Sequence, residues 1–377
     1  MGLPSAGTGV RVLFGGDVYF GESYAFGHGP GSQDDRQAAS LAGLSPLFRQ
    51  ADAAIINLEA ALTPGTTRPP AAGKDYLHRG DPEAAAAALR RLNVTTVGLA
   101  NNHAMDYGGQ GLVDTLTALR RQQITAIGAG RNQAAAARPW TTRFQRETGT
   151  FELAVITGYE YNPTQTAAYA GPESQGVNCW TPAAASAQMQ GLRQACPGAW
   201  IVAFPHGGDN YEWRDDKQLA LHHALVEAGA DLVLGHGSHM AQEIECYQGR
   251  WVLHGLGNCV LNSPGRYARL GQHSWSLIAA LHAEPRPGGF RLELRLYPIL
   301  SDNQVTGYQP RLATLGEARS VGDLLRRHSN GLTTADLQPL SDAWGWHLRL
   351  DLGSRLSAVP GSKVATALVG PGSATVE

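Results

Sequence analysis

Short apolar runs of strand length recur along the chain, and each one stops at a polar segment. They cover residues 10–14, 53–56, 94–99, 200–204 and 231–234. Residues 215–228, between the last two runs, carry apolar side chains at helical spacing and begin with two aspartates, which suit the positive end of a helix. A strand, a helix and a second strand make a βαβ unit with parallel strands. The pattern predicts an α/β fold.

Residues that can carry chemistry follow these runs. They are Asp17, Glu59, Asn102 with His103, His206 and His236. Active sites of open α/β sheets lie beyond the carboxyl ends of the strands, so we expect these side chains to share one face. Oxygen and nitrogen donors together suit a divalent ion such as Mn, Fe, Zn or Ca. The alternative at Asp17 is an Asx turn that binds no metal.

The remaining pattern predicts further elements around this face. Helices are expected at residues 81–92 and 110–121. Further strands are expected at residues 124–127, 151–157, 276–282 and 290–299. Irregular segments rich in turn formers are expected at residues 21–40, 63–74 and 159–194, the last with one short helix. We assign residues 10–330 to one catalytic domain and residues 331–377 to a C-terminal extension with a loose tail.

Composition narrows the class of protein. The chain has 377 residues, of which 43% are apolar, and this is enough for a large buried core. A formal net charge of -2 predicts no nucleic-acid partner, and no stretch resembles a signal peptide or a membrane span, so no membrane partner is expected either. The four cysteines form no C-x-x-C pair and fit a reducing compartment. We therefore expect a cytoplasmic protein.

The sequence lacks the motifs of several enzyme classes. It has no H-E-x-x-H, no cysteine ligand pattern and no G-x-S-x-G, which argues against a structural zinc site and a serine hydrolase. Neither G-x-G-x-x-G nor a P-loop follows a predicted strand, so no nucleotide cofactor is expected. Lys74, His78 and Arg79 fit a solvated loop better than an anion clamp, and His222 and His223 are interpreted as structural.

Seven short motifs occur in order along the chain: Gly15-Gly16-Asp17, Asn57-Leu58-Glu59, Arg79-Gly80-Asp81-Pro82, LANNHAMDYG at 99–108, His206-Gly207, GHGSH at 235–239 and Leu256-Gly257-Asn258. With these motifs the chain resembles the CapA family of poly-gamma-glutamate capsule synthesis proteins. The family is similar in fold to calcineurin-like metallophosphoesterases, so the resemblance implies a four-layer α/β/β/α sandwich. It also implies that one site is lined by Asp17, Glu59, Asn102, His103, His206, His236 and His239.

Three positions depart from the related patterns. Tyr19 stands where the phosphatase pattern has a histidine, and Glu59 stands where it has the bridging aspartate of the second strand. Residues 235–239 read GHGSH where capsule proteins often read GHHPH. A dinuclear site that makes a bridging hydroxide needs its full ligand set, so these departures argue against phosphoester hydrolysis.

Two histidines have an acid three residues further on, His103 with Asp106 and His206 with Asp209. A carboxylate that fixes the tautomer of an imidazole makes it a competent acid or base, although such an acid can instead cap the following turn. Two pairs across a pocket would suit removal of a proton from one face of a carbon and delivery of a proton to the other. In this respect the chain resembles epimerases encoded with some lasso-peptide precursors. They invert the α-carbon of the precursor's C-terminal residue without a nucleotide or pyridoxal cofactor.

The resulting hypothesis is a metal-dependent peptide epimerase that acts on a ribosomal precursor peptide. Its predicted catalytic residues are His103, Asp106, His206, Asp209, His236 and His239. One divalent ion, calcium before manganese, is predicted near Asp17, Glu59 and Asn102. The alternatives are a metal-dependent hydrolase of phosphoester or amide bonds and a non-catalytic protein that kept the fold.

Overall fold

Two β-sheets packed face to face form the centre of the molecule. The computed structural model describes residues 9–21, 37, 39–67, 74, 76–147, 149–261 and 263–356. The strands are β1 (Val10–Tyr19), β2 (Ala53–Leu58), β3 (Ala61–Leu62), β4 (Arg79–Gly80), β5 (Thr96–Gly98), β6 (Thr125–Ile127), β7 (Ala129–Gly130), β8 (Trp140–Arg146), β9 (Gly149–Glu160), β10 (Gly176–Val177), β11 (Cys179–Trp180), β12 (Trp200–His206), β13 (Leu232–Leu234), β14 (Ile244–Tyr247), β15 (Arg250–Leu253), β16 (Asn258–Leu261), β17 (Trp275–Arg286), β18 (Gly289–Leu300), β19 (Arg311–Leu312), β20 (Pro339–Asp342) and β21 (Gly345–Leu356). The helices are α1 (Ser45–Phe48), α2 (Pro82–Arg91), α3 (Gly108–Arg121), α4 (Gln133–Ala136), α5 (Pro182–Ala195), α6 (Asp216–Glu227), α7 (Arg266–Leu270), α8 (Asn303–Thr306) and α9 (Leu315–His328), with a 3-10 helix at Pro163–Ala168.

The two sheets each contain a parallel segment. Ten of the described strands form sheet 1 in the order β20-β21-β18-β17-β1-β2-β5-β6, with β16 beside β1 and β19 beside β18. Seven form sheet 2 in the order β11-β9-β12-β13-β15-β14, with β8 beside β9. The predicted βαβ unit is β12, α6 and β13, and its two strands are parallel. Strands β1, β2, β5 and β6 are parallel as well, so their carboxyl ends lie along one edge of sheet 1.

Successive side chains of β1 point to opposite faces of sheet 1 and pack in two different hydrophobic cores. Val12 and Phe14 pack in the core between the two sheets, whereas Leu13 packs on the opposite face of sheet 1 with residues of α2 and α3. The outer face of sheet 2 is covered by α5 and α6, where Met189 and Leu225 are buried. The layers follow the order helix, sheet, sheet, helix, which confirms the predicted α/β/β/α sandwich. Burial on both faces explains why the central strands read as continuous apolar runs.

The structure confirms most predicted helices and strands. The helix expected at residues 81–92 is α2, and its N-cap Asp81 accepts hydrogen bonds from the backbone N–H groups of Glu83 and Ala84 at 3.0 and 2.9 Å. The strands expected at 276–282 and 290–299 are β17 and β18, which pair antiparallel. Residues 159–194 are less irregular than predicted, because they include most of α5, a helix of 14 residues. The one helix predicted in this range is longer than expected, because alanine and polar residues dominate it and its apolar stripe is too weak to show its full length.

The described part of the C-terminal extension belongs to sheet 1. Strand β21 pairs with β18, and β20 pairs with β21. Most of the loop predicted at 21–40, part of that at 63–74 and the tail at 359–377 lie outside the described residues. Among the described helices, none combines the length and apolar character needed to cross a bilayer.

Candidate metal centre and active site

The candidate site lies where β1, β2 and β5 of sheet 1 end beside β12 and β13 of sheet 2. Asp17 is at its centre. It is fully buried and accepts hydrogen bonds from the side chain of Asn57 at 2.9 Å and from the backbone N–H of Gly237 at 3.1 Å. A register shift in β1 at Gly16 places Asp17, and a Cβ at Gly16 would lie 1.8 Å from the carbonyl oxygen of Gly257. Glycine is therefore required beside this carboxylate.

Glu59, directly after β2, is a buried carboxylate without a hydrogen-bond donor. Neither of its oxygens has a hydrogen-bond partner among the described residues. Two imidazoles flank it, with Nε2 of His103 3.9 Å from one oxygen and Nδ1 of His239 4.0 Å from the other. Burial raises the pKa of Glu59 to about 8. A buried anion without donors is costly unless a cation neutralises it, so Glu59 fits the role of a metal ligand.

A turn organised by Asn101 holds Asn102 and His103 at the end of β5. The side-chain oxygen of Asn101 accepts a hydrogen bond from the backbone N–H of His103 at 3.0 Å, and its amide donates to Asn57 at 2.9 Å. This bond ties the turn to the residue that supports Asp17. The side-chain oxygen of Asn102 then lies 3.0 Å from Nε2 of His206 across the site.

His103 and Asp106 form the pair predicted from their spacing. Nδ1 of His103 lies 2.6 Å from Oδ2 of Asp106, so its proton is donated to the carboxylate and Nε2 keeps the lone pair. Nζ of Lys74 lies 2.5 Å from Oδ1 of the same carboxylate and 2.5 Å from the carbonyl oxygen of Asn102. The expectation of a solvated Lys74 is therefore wrong, because only 22% of its side chain is exposed while Asp106 is buried.

His78 is a site residue that the sequence analysis missed. Its ring stacks between the rings of Tyr19 and His103, at centroid distances of 3.9 and 3.4 Å. Nδ1 donates to the backbone carbonyl of Glu59 at 2.9 Å, so Nε2 carries the lone pair. Burial lowers the pKa of His78 to about 2, which keeps the ring neutral and able to bind an ion. The available signal was its place directly before the RGDP motif at residues 79–82.

His206 and His236 meet at the ends of β12 and β13. Their Nδ1 atoms are 3.0 Å apart, and their backbones form a parallel bridge. Oδ1 of Asp17 lies 3.5 Å from Nδ1 of His236 and 3.9 Å from Nδ1 of His206. Burial lowers the pKa of His206, and the neighbouring His236 lowers it further. A neutral imidazole in this position can bind a metal ion.

His239 contacts the other oxygen of Asp17. Its Nδ1 lies 3.4 Å from Oδ2 of Asp17 and 2.9 Å from the side-chain oxygen of Asn258. Burial alone would lower the pKa of His239, but the charges of Glu59, Tyr211 and Asp17 raise it well above its usual value. The backbone of His239 is left-handed, with φ 63°, a conformation that costs energy for a residue other than glycine.

Asp209 is not part of this site. Strand β12 ends at His206, and a turn through Gly208, with φ +82°, carries Asp209 to an exposed position. In the described part of the chain Asp209 makes no contact with the His206 ring, whose nitrogens face His236 and Asn102. The predicted pair is therefore wrong. A spacing of three residues brings side chains together in a helical turn, as at His103, but not where an extended strand ends.

Three overlapping groups of side chains could hold a divalent ion. They are Asp17, His206 and His236; Glu59, His78 and His103; and Asp17, Glu59 and His239. All predicted catalytic and metal residues except Asp209 therefore lie in or beside one cluster. The carboxylate of Glu59 and Nε2 of His236 are buried without partners among the described residues, so the donor set fits a metal. Carboxylate and imidazole ligands suit several divalent ions, and the identity of the ion stays a prediction.

Two solved structures are similar to the chain at low sequence identity. One is the calcineurin-like phosphoesterase YfkN from Bacillus subtilis, with a TM-score of 0.40 and 12% identity over 75% of this chain and 87% of that one. The other is GAP50, the anchor in the inner membrane complex of Plasmodium, with a TM-score of 0.37 and 11% identity over 77% of this chain and 84% of that one.

Sequence relatives cover the region that contains the site. The chain is 31% identical over 264 residues to the probable polyglutamine synthesis accessory protein of Mycobacterium tuberculosis (strain ATCC 25618 / H37Rv), covering 68% of this chain and 63% of the relative. It is 29% identical over 222 residues to the PGA biosynthesis protein CapA of Bacillus subtilis (strain 168), covering 58% and 56%. The chain thus spans less than two thirds of the length of these relatives. Residues 11–263 match the family model described as bacterial capsule synthesis protein PGA_cap, and the chain belongs to this family.

Proposed function

We propose that the chain is a metal-dependent peptide epimerase that inverts the α-carbon of the C-terminal residue of a ribosomal precursor peptide. The observation that carries the proposal is the pair of imidazoles on either side of Glu59. His103 lies 3.9 Å from one oxygen of this carboxylate, and His239 lies 4.0 Å from the other. In the proposal these two imidazoles, one beside each oxygen of the same carboxylate, act as the acid and the base at opposite faces of the substrate carbon.

Each imidazole is held by a partner. Asp106 accepts the Nδ1 proton of His103 and turns Nε2 towards Glu59, while Asn258 and Asp17 hold Nδ1 of His239. The second acid–imidazole pair is therefore His239 with Asp17, in place of the pair predicted at His206. His206 and His236 are left to bind the ion together with Asp17.

The proposed inversion needs no co-reactant, because one proton leaves Cα and one proton returns to it. One imidazole removes the Cα proton, and the C–H electron pair moves onto the adjoining carboxylate as an ene-diolate. The imidazolium on the opposite face then delivers a proton to the carbon, which inverts it and leaves the mass of the peptide unchanged. Solvent restores the two histidines to their starting protonation states. A bound divalent ion would supply positive charge near the developing anion, which lowers the cost of removing so weakly acidic a proton.

The remaining features of the proposal follow from the same chemistry. No nucleotide or pyridoxal cofactor is needed, because proton transfer is the whole reaction. The names of the relatives refer to polyglutamine and PGA synthesis, and polyglutamine is itself a chain of amide-linked amino acids. This supports a substrate with a peptide backbone. We further propose that the protein acts in the cytoplasm, where precursor peptides are made, without a nucleic-acid or membrane partner.

Incubation in deuterated water tests the proposal. Metal-loaded protein is mixed with synthetic lasso-type precursor peptides that differ in the last residue, and both epimers are analysed by mass spectrometry and NMR at low conversion. We expect the inverted product to carry one deuterium at Cα, with little label in recovered substrate. His103→Ala and His239→Ala should abolish the exchange, whereas His223→Ala, on the outer helix α6, should not. Product that keeps its original proton refutes the two-base step, and an unchanged peptide refutes the activity.

A metal-dependent hydrolase is the second candidate, favoured by one observation. Asp17 and Glu59 each belong to two of the three ligand groups, so two ions could bind side by side. Neighbouring ions can activate water for attack on a phosphoester or amide bond. An incubation of the same peptides in ordinary water separates the two functions, because hydrolysis changes the mass of the substrate and epimerisation does not.

A further inference from the structure

Arg266, the first residue of α7, lies near the site and has no anionic partner in the described part of the chain. It is partly exposed and forms no ion pair with any described residue. Its guanidinium carbon lies 5.6 Å from the ring centroid of Tyr76 and 5.9 Å from that of Tyr211. An arginine between two aromatic rings is restrained by cation–π attraction while its N–H donors stay available.

Tyr211 and Tyr267 connect this arginine to the catalytic cluster. The ring of Tyr211 lies 5.1 Å from that of His239, and its backbone N–H donates to the carbonyl of Ser238 at 2.8 Å. Tyr267, next to Arg266 in the chain, donates its hydroxyl proton to the carbonyl of His239 at 2.8 Å. Both tyrosines are buried, so the position of α7 relative to His239 is determined by packing.

The charge of the cluster explains why a cation is needed here. Asp17, Glu59 and Asp106 are three buried carboxylates in or beside this cluster. The bound ion and Lys74 offset part of this negative charge, and a substrate carboxylate needs a cation of its own to approach what remains. Lys74 is not available to bind the substrate carboxylate, because its ammonium group is already bound to Asp106. The Arg266 guanidinium donates no hydrogen bond to a described residue, so its N–H groups are free to bind an incoming anion.

We propose that Arg266 binds the terminal carboxylate of the substrate and thereby selects peptides with a free C-terminus. The inference rests on the proposed function, in which the reacting carbon carries that carboxylate. A guanidinium matches a carboxylate with two parallel N–H···O bonds, so it would fix the orientation of the attached carbon as well as its position. Tyr76 and Tyr211 would keep the guanidinium in place through their faces.

Paired peptides test the proposal by binding alone. Isothermal titration of the full-length, metal-loaded chain compares one precursor peptide as its free acid and as its C-terminal amide. We expect the wild type to bind the acid at least about tenfold more tightly, as for hydrogen bonds to a charged group. Arg266→Gln should lose this preference while its affinity for the amide is unchanged, and Arg266→Lys should keep part of it. Arg269→Gln, on the exposed end of the same helix, is the matched control and should behave as the wild type.

The outcomes separate this inference from the proposed function. Equal loss of affinity for acid and amide in Arg266→Gln would show a structural role and overturn the inference. A preference for the acid that survives Arg266→Gln overturns it too, as does failure of both peptides to bind the wild type. If Arg266 sets the preference but the bound peptide keeps its stereochemistry, the carboxylate site stands and the epimerase assignment fails.

Discussion

Replacing Lys74 with methionine tests whether a lysine outside the predicted site holds His103, the proposed base, in place. Lys74 contacts Asp106 at 2.5 Å, and Asp106 contacts His103 at 2.6 Å. Methionine keeps the length of the side chain and removes its charge and donors. Asp106 would retain the hydrogen bond from the backbone N–H of His78 at 2.7 Å, so the carboxylate loses one of its supports and not all of them.

The structure sets the size of the expected effect. The variant loses the charged hydrogen bond to the buried carboxylate and the bond to the carbonyl oxygen of Asn102. The first of these alone should lower the free energy of unfolding by roughly 1.5–3 kcal/mol. Changes to a residue that orients an active-site histidine through a second group typically cost about 10–100-fold in activity, and we expect the epimerisation rate to fall within this range. Urea denaturation followed by tryptophan fluorescence measures the first quantity, and the deuterium assay measures the second.

Arg193→Met is a matched control for Lys74→Met. Arg193 contacts the buried Asp231 at 2.5 Å with 25% of its side chain exposed, much like Lys74 with 22%. Asp231 precedes β13, at the end of the strand away from the site, so this variant should lose stability and keep its rate. If Lys74→Met loses stability without losing rate, Lys74 only stabilises the fold. If it loses neither, the contact with Asp106 has no energetic importance.

Three further predictions concern the metal centre and its glycine. Burial raises the pKa of Glu59 from 4.5 to about 8, so the metal-free protein should lose stability as the pH rises through this window. Glu59→Gln should lack this component, and equal urea midpoints of the two proteins at every pH would contradict it. Gly16→Ala should destabilise the protein by roughly 1–3 kcal/mol, because its Cβ meets backbone at 1.8 Å, whereas Gly191→Ala, with open space in α5, should stabilise it by about 0.5–1 kcal/mol. Removal of the metal by a chelator should lower the melting temperature and abolish turnover. Elemental analysis of the untreated protein should find one ion per chain. Full activity of metal-free protein would refute the metal mechanism.

Local sequence was sufficient for the elements and for most of the candidate site. Apolar runs buried on both faces are a local pattern, and the polar residue that follows such a run must lie at the carboxyl end of its strand. This is why Asp17, Glu59, His206 and His236 could be placed on one face without a structure. The pair of His103 with Asp106 was predictable as well, because both residues lie in one turn.

Only the tertiary structure decided which of these groups meet. Lys74 and His78 lie in the segment before β4; Lys74 binds Asp106 beside His103, and His78 stacks on the His103 ring. No periodicity in the sequence predicts these contacts. Asp209 turns away from His206, and the partner of the second imidazole is Asp17, more than two hundred residues from His239. Contacts over such separations are set by how the two sheets pack on their shared core, and that packing depends on the burial of the whole set of apolar side chains. A motif identifies a group that can react, and the packed fold determines what that group faces.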